Sequence, residues 1–126
     1  MKTLPNGVTV FNVAPYTIRF WSPDWAEPVE VEPDEVIAAE VVEIPVGEKN
    51  FDRADITLAT LAYAGSEAGQ RVVYRALGTG ADIVVGSITA AQAYKPLVLA
   101  TVPAEGYEHA PPAEACVRPD RFIVFQ

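Results

Sequence analysis

The sequence predicts an α+β fold with a mainly antiparallel β-sheet core and one or two short helices. Several short segments alternate apolar and polar residues with the period of two that is typical of half-buried strands. Eleven prolines and eight glycines among 126 residues indicate many turns. Helical features are sparse, and a capping serine ahead of small helix-forming residues is the clearest of them. The length predicts a single domain over residues 1–126.

The N-terminal quarter of the chain predicts three strands. Residues 8–13 and 16–21 alternate well enough for two of them, with an Ala-Pro break between. Residues 28–33 alternate as well and lie between two prolines. Because proline cannot donate a ladder hydrogen bond, this third strand is expected at a sheet edge.

The middle of the chain leaves two alternatives open. β-branched residues favour a strand over residues 35–46. A helix over 33–43 that begins at a capping Asp34 is the competing interpretation. The charged segment 49–55 indicates a loop, and the short apolar segment 56–64 fits strand and helical spacing equally well.

The second half of the chain predicts strands, turns and one helix of about two turns. Proline after the helix stops it. In chain order we expect a turn at 65–69, a strand at 71–77, a turn at 78–80, a strand at 82–87, a helix at 88–95, a strand at 96–102, a surface connection at 103–119 and a last strand at 121–125.

Composition excludes several classes of partner. The net charge is −8, and eleven of the seventeen acidic residues lie between Asp24 and Asp55, which we interpret as a solvated acidic face. There is no basic stripe for a nucleic acid duplex. No apolar run approaches the roughly 20 residues that cross a bilayer, and the N-terminus does not resemble a signal peptide. We therefore expect neither a duplex nor a membrane as partner, and a cytoplasmic location.

Catalysis and metal binding have little support in the sequence. The only histidine, His109, lies in a proline-rich connection, and the only cysteine, Cys116, has no activating partner nearby in sequence. One cysteine and one histidine do not make a structural zinc site. We expect a protein that is not an enzyme and that has no cofactor.

The segment GTGADIVVGSITAAQAYK, residues 78–95, has features of a phosphate-binding loop without matching one. A dinucleotide or Walker loop needs its glycines between strand and helix, followed by the appropriate residues. Here the first two glycines precede the strand, and only Gly86 and Ser87 lie at the strand-to-helix junction. Ser87 is predicted to cap the helix. The capped end either binds an anion or caps the helix and binds nothing.

Other side chains suit a nucleotide-like ligand. Tyrosines and tryptophans offer faces for stacking, and arginines offer bidentate phosphate donors, although core packing or a solvated face explains any single one. In Arg118-Pro-Asp120 the proline fixes the backbone between two opposite charges. These two side chains form a surface ion pair or contact a phosphate and a ribose hydroxyl.

Three separated pieces of the sequence resemble the first Thoeris anti-defence family of small phage proteins. The pieces are Asn12-Val-Ala-Pro-Tyr16, the strand and small-residue helix from Ile83 to Tyr94, and Arg118-Pro-Asp120. Tyr16 stands where that family has histidine, and Gly86 stands where it has serine. The resemblance covers about a third of the chain and implies an α+β fold with a pocket at a subunit boundary.

The resemblance implies a sponge, which binds a nucleotide-derived immune second messenger without cleaving it and so counters bacterial anti-phage defence. The ligand would be a cyclic ADP-ribose isomer or a cyclic oligonucleotide, and the protein a homo-oligomer, dimer or hexamer, in the host cytoplasm. The alternative is a strand-rich structural or interaction module such as a virion component. The predicted ligand-binding residues are Asn12, Tyr16, Arg19, Gly86, Ser87, Tyr94, Arg118 and Asp120.

Overall fold

The structure is a computed structural model that describes residues 1–111 and 114–126. These residues form strands and two helices, and the predicted α+β class is confirmed. In chain order the elements are β1 (Lys2–Thr3), β2 (Thr9–Asn12), β3 (Ile18–Phe20), β4 (Val29–Val31), β5 (Ala39–Asn50), β6 (Asp55–Gly65), α1 (Glu67–Gly78), β7 (Ile83–Val85), α2 (Ile88–Ala93), β8 (Val98–Pro103) and β9 (Cys116–Ile123).

Seven of the strands form one mixed sheet in the order β1-β2-β7-β8-β9-β3-β4. The β2–β7, β7–β8 and β9–β3 pairs are parallel, whereas β1–β2, β8–β9 and β3–β4 are antiparallel. β4 lies at the edge of the sheet, as its flanking prolines predicted. Parallel neighbours bring the carboxyl ends of β2, β7 and β8 to one end of the sheet, where binding sites of such sheets commonly lie.

The central strand β7 is buried on both faces. Val84 belongs to a core cluster with Val73 of α1 and Ala91 of α2. Val85, the next residue, belongs to a second cluster with Phe20 of β3. Since successive strand residues point to opposite faces, the helices cover one side of the sheet and the second cluster fills the other. This burial holds the end of β7 firmly in place.

Helix α1 corrects the strand predicted for residues 71–77. The adjacent β-branched residues Val72 and Val73 favoured a strand in the sequence. Their spacing to the buried Ala76, three and four residues later, suits one face of a helix, and all three side chains are buried. Intrinsic preferences differ by less than about 1 kcal/mol per residue, so packing against the sheet decides the outcome.

The turn predicted at 65–69 is also wrong in part, because α1 begins inside it. Ser66 is the N-cap, and its Oγ accepts a hydrogen bond of 2.9 Å from the Gly69 N–H. Glu67 in the first turn adds a favourable charge at the positive end of the helix. Ser66, which the sequence assigned to a turn, therefore marks the start of α1, the longer of the two helices.

Strands β5 and β6 form a separate hairpin, which we call the arm (residues 39–65). Segment 56–64, which fitted either strand or helix, is strand, and the alternative of a helix over 33–43 is wrong. One register shift interrupts the pairing between Pro45 and Gly47. Only the base of the arm is partly buried against the rest of the chain, and most of its side chains are exposed.

The C-terminal strand begins earlier than predicted. β9 starts at Cys116 rather than at residue 121, so it takes over the end of the predicted connection 103–119. That connection also contains residues 112 and 113, which lie outside the described residues. No helix within the described part of the chain is long and apolar enough to cross a membrane.

Candidate functional site

The strand-to-helix junction after β7 has the predicted cap. Ser87 is the N-cap of α2, and its Oγ accepts a hydrogen bond of 3.1 Å from the Ala90 N–H. The predicted helix is confirmed over Ile88–Ala93 and ends just before Pro96. The helix cap predicted from the sequence is therefore present. Its surroundings decide whether it can also contact a ligand.

Gly86 lets the backbone pass closely between strands and helix. A Cβ at this position would lie 3.1 Å from side-chain atoms of Val13 and Val98, and 3.2 Å from Cβ of Ala90. An added Cβ would therefore require these neighbours to move by a few tenths of an ångström. Glycine at this position thus brings the first turn of α2 tightly against the sheet.

A cleft of about 310 Å³ opens at this junction, and we call it the Ser87 cleft. Tyr16, Gly86 and Ser87, all predicted from sequence, line it together. Thr89 and Thr101 also line it, among apolar residues. The topology explains the convergence, because the parallel β2–β7 pair places the chain that follows β2 beside the chain that follows β7.

Asn12 positions the segment that carries Tyr16. Asn12 is fully buried, and its Nδ2 donates hydrogen bonds to the backbone oxygens of Tyr16 (3.0 Å) and Val31 (2.9 Å). Its Oδ1 accepts one from the Ala14 N–H at 2.8 Å. The whole amide is therefore engaged by backbone, and Asn12 reaches the Ser87 cleft only through the Tyr16 segment. Burial raises the pKa of the Tyr16 phenol, which keeps it protonated and able to donate.

A second cleft, of about 430 Å³, holds the C-terminal pair of predicted residues, and we call it the Arg118 cleft. Arg118 and Asp120 line it together with Trp21 and Ser22. The two clefts share no lining residue: Pro103 and Val117 line the Ser87 cleft, whereas the residues that follow them, Ala104 and Arg118, line the Arg118 cleft. Because successive residues of a strand point to opposite faces, Val117 and Arg118 face opposite sides of β9.

Arg118 and Asp120 form a bidentate ion pair. Nε and Nη2 of Arg118 each lie 3.0 Å from one carboxylate oxygen of Asp120. This bond lowers the pKa of Asp120 and raises that of Arg118, so both stay charged. A guanidinium has five N–H donors, and the pair uses one on Nε and one on Nη2. Its other donors can still bind a phosphate or carboxylate oxygen.

Arg19 lies on β3 beside the start of β9. It is directly opposite Cys116 in the parallel pair and opposite Glu30 in the antiparallel one. Its Nε lies 3.2 Å from Oε1 of Glu30. Alternation along β9 places Arg118 on the same face of the sheet as Arg19. Arg19 therefore shares a face with Arg118, is paired with Glu30, and does not line the Arg118 cleft.

Tyr94 lies away from both clefts. Its ring is buried at the base of the arm, where its hydroxyl donates to the Ala38 carbonyl and accepts a 2.9 Å hydrogen bond from the Ser66 N–H. Its ring packs closely against the backbone of Gly65 and Gly69. The residue predicted as a stacking wall thus joins α2, α1 and the arm.

The described residues contain few other groups with catalytic potential. His109 is exposed and Cys116 is buried. The thiol of Cys116 raises the pKa of the nearby Tyr107 phenol. Within residues 1–111 and 114–126, no three or more His, Cys, Asp or Glu side chains are grouped so as to hold a metal ion.

Sequence reasoning missed Thr89, Thr101, Trp21 and Ser22 as cleft residues. Thr89 had a usable signal, because it follows a predicted cap by two residues and so lies in the first helical turn. Thr101 and Ser22 had none, since their positions depend on strand order and register. Trp21 was noted only as one of several aromatic residues.

No family model matches this chain, and no curated protein or solved structure shows significant similarity to it.

Proposed function

We propose that this protein is a phage-type sponge that binds a nucleotide-derived immune second messenger, a cyclic ADP-ribose isomer or a cyclic oligonucleotide, without cleaving it. One observation carries the proposal: Tyr16, Gly86 and Ser87, predicted from distant parts of the sequence, line one cleft. The cleft is lined by an aromatic residue, by hydroxyl-bearing residues and by apolar residues, as expected for a site that holds a base and a ribose.

The Arg118 cleft supports the same proposal by its charge. A cyclic dinucleotide or cyclic ADP-ribose carries two phosphates, and a guanidinium with donors to spare suits one of them. The pair with Asp120 holds the guanidinium in one orientation before the ligand arrives, which reduces the entropy lost on binding. Trp21 offers a second aromatic face in that cleft.

Ligand-induced stabilisation tests the proposal. The purified protein is incubated with cyclic ADP-ribose isomers and with cyclic di- and trinucleotides, and its thermal unfolding is followed. A ligand at 100 times its Kd raises the free energy of unfolding by about 2.7 kcal/mol. The same ligand is expected to be recovered intact after denaturation and chromatography. If none of these compounds shifts the melting curve, the sponge proposal fails.

Paired tyrosine variants test whether the ligand binds in the Ser87 cleft. Tyr16→Ala removes the aromatic wall and is expected to weaken binding about 10- to 100-fold, because stacking on one base contributes about 1–3 kcal/mol. Tyr74→Ala removes an exposed tyrosine of α1 and is the matched control. Isothermal titration of both variants measures the difference, and equal losses would exclude the Ser87 cleft as the site.

Paired arginine variants test the Arg118 cleft in the same way. Arg118→Ala is expected to weaken binding about tenfold or more, since a charge-assisted bond to phosphate is lost. Arg121→Ala removes the same charge from an exposed position three residues later on β9 and should leave the Kd within about twofold. A Kd that is unchanged in Arg118→Ala would limit the site to the Ser87 cleft.

The second candidate function is a structural or interaction module, such as a virion component. The exposed apolar side chains of the arm favour it, since monomeric proteins rarely leave such surfaces uncovered. Sedimentation separates the two candidates. Large assemblies without bound nucleotide favour the module, whereas a small closed oligomer with a nucleotide absorbance spectrum favours the sponge.

A further inference from the structure

Both faces of the arm carry exposed aliphatic side chains, and one of them has charged residues only at its two ends. Directly paired residues of antiparallel strands share a face, so Val42 lies with Ala62 and Ile44 with Thr60. Leu58 and Ile56 continue this face toward the tip. We call it the apolar face (Val42, Ile44, Ile56, Leu58 and Ala62). Its four largest side chains keep 43% to 47% of their surface exposed.

A hairpin of this kind needs a cover. An isolated two-stranded hairpin is at best marginally stable in water, and it requires packing on at least one face. The described part of the chain covers the arm only near its base, where Ala39 packs against the helix-side cluster. The exposed aliphatic side chains therefore indicate a surface that another molecule buries.

The charges at the two ends of the apolar face are self-complementary. Glu40 lies at its base, beside Ala64, and Lys49 lies at its tip, beside Ile56. Neither forms an ion pair with any other described residue of this chain. If a second arm lies face to face and antiparallel on the first, each Lys49 meets the partner's Glu40. The residue midway between the two charges is Ile44, so the two-fold axis passes near it.

We propose that two copies of this chain dimerise by packing the apolar faces of their arms against each other in this antiparallel arrangement. Such an isologous contact is the commonest type in homo-oligomers. The inference does not depend on the proposed function, because it concerns a surface that lines neither cleft and is tested without ligand.

The arm supplies part of a dimer interface. Eleven paired residues span roughly 36 Å, and two strands are roughly 10 Å wide, so one face presents roughly 360 Å² per partner before side-chain relief is counted. A typical specific interface buries about 800 Å² per partner. The arm face therefore accounts for somewhat less than half of such an interface, and the surface that flanks the base of the arm would supply the rest.

Sedimentation velocity on the full-length protein from micromolar to millimolar concentration is the first measurement. The wild type is expected to be dimeric or to consist of dimers. Ile44→Asp places two carboxylates against each other at the axis and is expected to raise the dimer Kd about 100-fold or more. Because Ile44 is exposed in the single chain, the variant should keep the circular dichroism spectrum of the folded protein.

A charge exchange tests the antiparallel register. Glu40→Lys brings two lysines together at each end of the interface, and Lys49→Glu brings two glutamates together. Each variant is expected to raise the dimer Kd about tenfold, since two symmetry-related pairs are lost at once. The double variant restores the pairs and should return the Kd to within about threefold of the wild type.

The net charge of the chain allows a specific Glu40–Lys49 contact to be distinguished from general charge repulsion between the two copies. Glu40→Lys makes the −8 chain less negative and Lys49→Glu makes it more negative, so a non-specific effect would move the two Kd values in opposite directions. Glu43→Lys is the matched control, because it has the same charge change as Glu40→Lys but lies opposite Leu61 on the other face. A monomeric wild type would assign the apolar face to another partner and overturn the proposal. A wild-type oligomer that is insensitive to Ile44→Asp, or a double variant that is not restored, would also overturn it.

Discussion

Replacing Gly69 with alanine is expected to lower the free energy of unfolding by about 2 kcal/mol, whereas the same change inside an ordinary helix raises it by up to about 1 kcal/mol. An alanine Cβ would lie 2.8 Å from Cζ of Tyr94 and closer still to its hydroxyl oxygen. That hydroxyl cannot swing aside without breaking its hydrogen bonds to Ala38 and Ser66. Denaturant titration followed by far-UV circular dichroism measures the loss.

Two further variants identify the cause. Gly78→Ala lies in the same helix with no atom within 4 Å of its new Cβ, so it is expected to be neutral or stabilising by less than about 1 kcal/mol. In a Tyr94→Phe background, where the closest atom is gone, Gly69→Ala should cost less than in the wild type. A positive effect of Gly69→Ala on stability, or full additivity with Tyr94→Phe, would contradict the contact.

The strands were predictable where their signal is local. Alternation and flanking prolines correctly indicated β2, β3 and β4, and Ser87 correctly indicated the start of α2. Helix α1 was mistaken for a strand because two adjacent valines have β propensity, and only the sheet beneath them determines which face they bury. The arm was ambiguous for a related reason, since an exposed hairpin with aliphatic residues on both faces lacks clean alternation.

The candidate site, too, was predictable only where its residues lie close together in the sequence. Arg118 and Asp120 lie two residues apart around a proline, and one of the two sequence interpretations, an ion pair, describes their geometry. The meeting of Tyr16 with Ser87 depends on the parallel pairing of β2 with β7, which no local pattern indicates. Asn12 was placed among the ligand contacts, but its role in holding the backbone of Tyr16 requires knowledge of the three-dimensional neighbours.

Replacing Asn12 with alanine is expected to have the largest effect on stability, about 4 kcal/mol. The change leaves the Ala14 N–H and the carbonyls of Tyr16 and Val31 without their side-chain partner in the core. Each unsatisfied buried group costs about 1–3 kcal/mol. Asn6→Ala is the control, because that asparagine is exposed and also bonds to backbone, so its loss should cost about 1 kcal/mol or less. Similar losses for the two variants would contradict the assigned role.

Asn12→Asp distinguishes the loss of the amide N–H donors from the loss of side-chain volume. The introduced carboxyl can still accept from Ala14, but as a carboxylate it would face the carbonyl oxygens of Tyr16 and Val31. Burial and this repulsion raise its pKa in the folded state above the unfolded value of about 3.9. The folded state of Asn12→Asp therefore binds the proton more tightly than the unfolded state does. The loss in free energy of unfolding relative to wild type is smallest below a pH of about 4, and it grows as the pH rises through the folded pKa. The deficit of Asn12→Ala, which has no titrating group, should change little over the same range. An equal deficit of Asn12→Asp at low and neutral pH would show that the amide donors do not hold these two carbonyls.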